Sequence, residues 1–151
     1  MKAESVRICA VIFGLVICAA AQDLAPMLLG AKPPVLLAFG CFTGVPTAIA
    51  AGLFEDALGG VPFGCSAAFF AVAALLARFA RRPRTDVSAM AVTVAAAGAH
   101  QFWIAIWGGG RATVAMAAGA MLAAAILAPL AASLVALAWR RIGIDFKRDS
   151  R

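Results

Sequence analysis

Ala50-Ala51-Gly52-Leu53-Phe54-Glu55-Asp56-Ala57-Leu58-Gly59-Gly60-Val61-Pro62-Phe63-Gly64 places two adjacent carboxylates at the end of an apolar run and follows them with a glycine-rich break. Apolar segments flank it on both sides. An ionisable side chain at membrane depth is costly and therefore reads as a functional-site residue by default. The glycines free the backbone, and Pro62 stops simple continuation of a helix. The rest of the chain reads as the enclosure of this turn.

Composition places the turn in a membrane. Of 151 residues, 64% are hydrophobic and 13% are charged. A soluble domain has about 45–50% apolar and about 25% charged residues. Mean hydropathy is +0.97. About a quarter of the residues are alanine, and small residues let helices approach closely in lipid. No period-2 alternation of barrel type occurs, and irregular strands cannot span lipid. The expected fold is all-α: one integral membrane domain over 1–151, a bundle of six transmembrane helices with a short third helix.

The net charge of +6 does not point to nucleic acid. The basic residues lie at the ends of apolar segments, where they act as topology signals, and no basic patch is interleaved with aromatics. Cys9, Cys18, Cys41 and Cys65 lie in or beside apolar runs without C-x-x-C spacing. They read as small buried hydrophobes, not as a disulfide or metal framework.

Apolar run lengths and Pro/Gly punctuation predict six helices. The first is Val6–Leu24; its basic start and Ala19-Ala20-Ala21 also fit a cleaved signal peptide, but topology favours a retained span. Pro26 and Pro33-Pro34 bracket a loop over Leu24–Pro34, with an interfacial turn at Met27–Leu29. The second helix is Pro34–Phe42, with Gly40-x-x-x-Gly44 as a small-residue contact pattern. The third is Val45–Leu58, with Pro46 in its first turn. Its length is roughly 21 Å at about 1.5 Å per residue, against a hydrocarbon core of about 30 Å. It therefore shares depth with the second or buries its ends in protein. The fourth is Phe63–Phe79, followed by Arg81, Arg82 and Arg84. The fifth is Asp86–Trp107. The sixth is Ala112–Trp139, with a kink expected near Ala125–Pro129. A basic cytoplasmic tail follows over 140–151.

With the N-terminus inside, eleven of the thirteen basic residues fall on the inner side, and only Lys32 and Arg111 fall outside. The positive-inside rule supports that orientation, with Trp103 and Trp107 at the outer interface and Trp139 at the inner one. Gln22, Asp23, Glu55, Asp56, His100 and Gln101 then gather near the outer face. Carboxylates at a helix C-terminus oppose its dipole and need a cation, a donor or water. Glu55 or Asp56 is expected to pair with Lys32, Arg111 or His100. As a lone histidine, His100 reads first as a satisfied packing residue. Ser66 near Glu55 lacks a base and an orienting group for nucleophilic catalysis. The glycines at 59, 60 and 64 lack the Gly-Lys-Ser/Thr of a phosphate loop and read as a tight turn.

Pro33-Pro34-Val35-Leu36-Leu37 and the Gly52–Gly64 stretch together resemble the rod shape-determining protein MreD family. That family carries Pro before its second helix and G-x-x-x-D-x-x-(S/T)-G-x-x-x-G across the turn between its third and fourth. Gln22 closing the first helix, the basic loop after the fourth and Pro129 before Arg140-Arg141 are similar in placement. Here Gly59 stands where the family often has Ser or Thr, and Glu55 where an apolar residue is usual. The resemblance implies a non-enzymatic inner-membrane scaffold of the cell-elongation machinery, with both termini cytoplasmic and no cofactor or metal. Its implied partners are an MreC-like protein, MreB, RodA and a penicillin-binding transpeptidase. Its implied partner-binding or structural cluster is Gln22, Glu55, Asp56, Gly59, Gly60, Gly64, His100 and Arg111. Such proteins are also similar in outline to the vitamin-binding subunits of energy-coupling-factor transporters. That gives the alternative: a small-molecule-binding transporter subunit with a cavity of about 300–1,000 Å³.

Overall fold

A computed structural model describes residues 2–25, 30–81 and 87–142. The expected turn at Met27–Leu29, the run through Arg82 and Arg84 and the tail beyond Ile142 lie outside them. The described residues form six α-helices and no strand: α1 (Lys2–Leu24), α2 (Val35–Thr43), α3 (Val45–Gly59), α4 (Cys65–Ala80), α5 (Val87–Gly108) and α6 (Val114–Ile142). α5, and α6 over Val114–Leu137, are long and apolar enough to cross a membrane; the apolar parts of α1 and α4 are shorter. α6 continues through Pro129, and Ser133 Oγ donates to the Pro129 carbonyl at 2.8 Å.

α2 is the hub. Among the described residues it contacts the other five helices, whereas α1 contacts only α2 and α3. Seven of its nine residues are buried, so its short backbone is enclosed by protein. Gly44 separates it from α3, and the two helices return along each other where Gly40 faces Ala48; a Cβ on Gly40 would lie 2.8 Å from the Ala48 Cα. The most extensive pairing is α3 on α4, followed by α5 on α6.

The core is built largely of alanine. Ala48, Ala51, Ala74, Ala77, Ala97 and Ala124 are fully or almost fully buried, joined by Leu36, Leu37 and Phe70. The large apolar side chains face outward instead, among them Phe13, Phe63, Phe79, Ile106, Ile126 and Leu134. Small residues inside bring backbones close, and large residues outside present a broad apolar surface, the reverse of the usual division in water.

Candidate functional site

The α3–α4 corner is fixed by backbone chemistry. Gly52 lies against α4 so closely that a Cβ there would fall 2.3 Å from the Ala67 Cα. α3 ends at Gly59, and Gly60 caps it in the left-handed region (φ 68°, ψ 17°). Gly64, at φ 99°, opens α4 and has no side chain with which to cap it. Asp56 supplies that cap from the neighbouring helix. Its Oδ2 accepts from the Gly64 N–H at 2.8 Å and its Oδ1 from the Ser66 N–H at 2.9 Å. Asp56 is only 3% exposed. A carboxylate unfavourable at the end of α3 is thereby placed at the positive end of α4.

Glu55 faces a different partner. Gln22 Nε2 donates to its Oε2, while Gln22 Oε1 accepts from the Leu36 N–H at 3.1 Å. Gln22 therefore ties the end of α1 to the start of α2 and to α3. Lys32 pairs with Asp23 across 2.7 Å, both side chains nearly half exposed. That hydrogen bond is the main cause holding the Lys32 ammonium above the ordinary lysine value; slight burial opposes it, and attraction to Asp23 and then Glu55 adds to it.

His100 lies on α5, its ring between Phe69 and Phe70 at centroid separations of 5.1 and 5.0 Å. Its Nε2 shares a hydrogen bond with Ser66 Oγ at 3.3 Å. Ser66 is fully buried, and Asp56 binds the serine's backbone N–H instead of the imidazole. A serine and a histidine thus meet without a carboxylate orienting the ring as a catalytic triad requires. Trp103 joins this side of the bundle by donating Nε1–H to the Cys65 carbonyl at 3.0 Å, and it packs on Trp107.

Gln22, Asp23, Lys32, Glu55, Gly59, His100 and Gln101 line one partly enclosed cavity of about 320 Å³. Its remaining wall is mainly apolar and includes Leu58, Phe70, Ile104 and Met116. The structure thus brings the polar groups together but pairs them differently from the sequence expectation. Asp56 is held by backbone N–H groups and Glu55 by an amide, not by Lys32, Arg111 or His100 in direct contact. The physical reason is that the glycine corner carries the α4 N-terminus onto Asp56, and the end of α1 carries Gln22 onto Glu55. Arg111 is exposed and hydrogen-bonds to no described residue. Gly60 and Gly64 shape the corner, while Gly59 keeps an ordinary helical backbone that leaves room for a Cβ. Sequence reasoning missed Ser66 as the link from Asp56 to His100. Its position two residues after Gly64, at a helix start, was the available signal. Among the described residues no cluster of three or more metal-ligating side chains occurs.

The chain matches no protein-family model, and no curated protein or solved structure is significantly similar to it.

Proposed function

We propose that this chain is a non-enzymatic scaffold of the MreD type: six spans in a bacterial inner membrane, both termini cytoplasmic, joining partners of peptidoglycan synthesis. The observation that carries the reading is the α3–α4 corner. Gly52, Asp56, Gly60 and Gly64, the positions that carry the resemblance, each have a physical task there: close helix approach, capping in trans and two left-handed turns. The corner in turn exposes Pro62 and Phe63, the latter by 75%, as an apolar point for a partner such as an MreC-like protein.

The six-span reading is supported by the outward-facing large apolar residues and by the charge bias of the sequence. α2 and α3 are shorter than a span, and enclosure of α2 by its neighbours satisfies the rule that unusual backbone at membrane depth be shielded by protein. The test is rescue of rod shape in cells lacking their own MreD, together with co-purification of the MreC-like partner. Failure of both with normal membrane accumulation would overturn the reading.

The cavity of about 320 Å³ favours a second reading, a small-molecule-binding transporter subunit. A small ligand retained through purification would support it.

A further inference from the structure

The cavity beside Glu55 carries an unbalanced set of polar groups. Two carboxylates, Asp23 and Glu55, and one ammonium, Lys32, line it. Lys32 is in contact with Asp23, so Glu55 is the carboxylate without a cation against it. Gln22 gives Glu55 one neutral donor, on Oε2, and Oε1 takes no hydrogen bond from any described residue. The adjacent Asp56 is already occupied by two backbone N–H groups. Gln101 also lines the cavity, is 7% exposed, and its amide bonds to no described residue. An amide that faces the cavity with no protein partner is free to bond a polar group placed there. Opposite lie Phe70, Ile104 and Met116, which suit an apolar body.

We propose that this cavity binds a small organic ammonium compound, its N–H groups directed to Glu55 and Gln101 and its apolar body against Phe70, Ile104 and Met116. This names a ligand class for the second functional reading and rests on it. A monocation would balance the charge of the wall, and a charge-assisted hydrogen bond to a shielded carboxylate is stronger than a neutral one.

The test is calorimetric titration of the purified full chain in detergent micelles with 2-phenylethylamine, 2-phenylethanol and 3-phenylpropionate at neutral pH. These probes share a body and differ in charge. The amine should bind about tenfold tighter than the alcohol, the scale of one added charged contact, and the carboxylate more weakly than either. Glu55→Gln should remove most of the amine's preference and leave the alcohol's affinity in place. Gln101→Leu should weaken the amine, which keeps the test valid if Glu55→Gln does not fold. Ile104→Trp, which fills the cavity, should abolish binding of all three. Equal affinity for amine and alcohol would overturn the ammonium class while sparing a ligand site. No saturable binding of any probe would overturn both. An undiminished Ile104→Trp signal would reveal uptake by the micelle and would also overturn the proposal.

Discussion

Asp56 and Glu55 are neighbours in sequence but are held by different physics. Asp56 accepts two backbone N–H bonds at the start of α4. Removing it leaves the buried Ser66 donor and the half-buried Gly64 donor unpaired at a helix terminus, and an unsatisfied buried group costs about 1–3 kcal/mol. Asp56→Ala should therefore lower stability by about 2 kcal/mol or more, measured by thermal unfolding in micelles. Glu55→Ala loses one side-chain bond in a half-buried setting and should cost less. The same order should hold in cell-shape complementation; equal rescue by the two variants would count against the scaffold reading of the corner. Lys32 gives a weaker, pH-linked effect. Its folded-state pKa is raised by Asp23, so the pair's contribution is present in full at neutral pH and is lost as pH rises through that raised value. Because both side chains are nearly half exposed, the contribution is at most about 1 kcal/mol. Lys32→Met should be slightly less stable than the parent at neutral pH, and the two should converge well above the ordinary lysine value.

The α3–α4 hairpin depends on glycine for two separable reasons, and substitution distinguishes them. At Gly52 the obstacle is space: an added Cβ meets the backbone of Ala67, not a side chain that can move. Overpacking costs about 1–3 kcal/mol, and Gly52→Ala should fall at or beyond the top of that range. At Gly60 and Gly64 the obstacle is conformation, since nothing lies within 4 Å but φ is 68° and 99°; alanine there should cost about 1–2 kcal/mol each. Gly59→Ala should be neutral, because its backbone is helical and the nearest atom, Val61 Cγ2, is at 3.5 Å. Thermal unfolding of the four variants checks the order 52, then 60 and 64, then 59. The helices are legible in the sequence because Pro34, Pro46 and the glycine breaks punctuate apolar runs, so the expected bounds fall within three residues of the observed ones except at the start of α1, four residues early. The partners of the acids are not legible. The sequence offers two obvious cations and a histidine, whereas the donors are a side-chain amide from α1 and two main-chain N–H groups, which carry no residue-type signature. Gln101 is visible as a polar residue in an apolar helix, but only the packed structure shows it facing a cavity without a partner.

Across the whole molecule, residues of the α1–α2 and α3–α4 connections line one cavity together with Ile104 of α5 and Met116 of α6, so these two connections and the one between α5 and α6 lie at one end of the bundle. Lys32 and Arg111 lie in two of these connections, and Arg78 and Arg81 mark the opposite end of α4. If the chain spans the inner membrane six times with its termini inside, the cavity end faces outward. Cysteine labelling in intact cells tests this. Cys9, Cys18, Cys41 and Cys65 are first replaced, since all four are free thiols and Cys65 lies at the cavity end. Lys32→Cys and Arg111→Cys, at exposed positions, should then react with a membrane-impermeant maleimide, while Arg84→Cys should react only after permeabilisation. The reverse pattern would invert the orientation and put the cavity on the cytoplasmic side. Labelling of all three in intact cells would remove the six-span reading altogether. The expected pattern would follow from the energetics of insertion: eleven of thirteen basic residues then avoid translocation, and for three of the polar residues that do cross, Gln22, Glu55 and Asp56, the fold supplies donors or backbone partners.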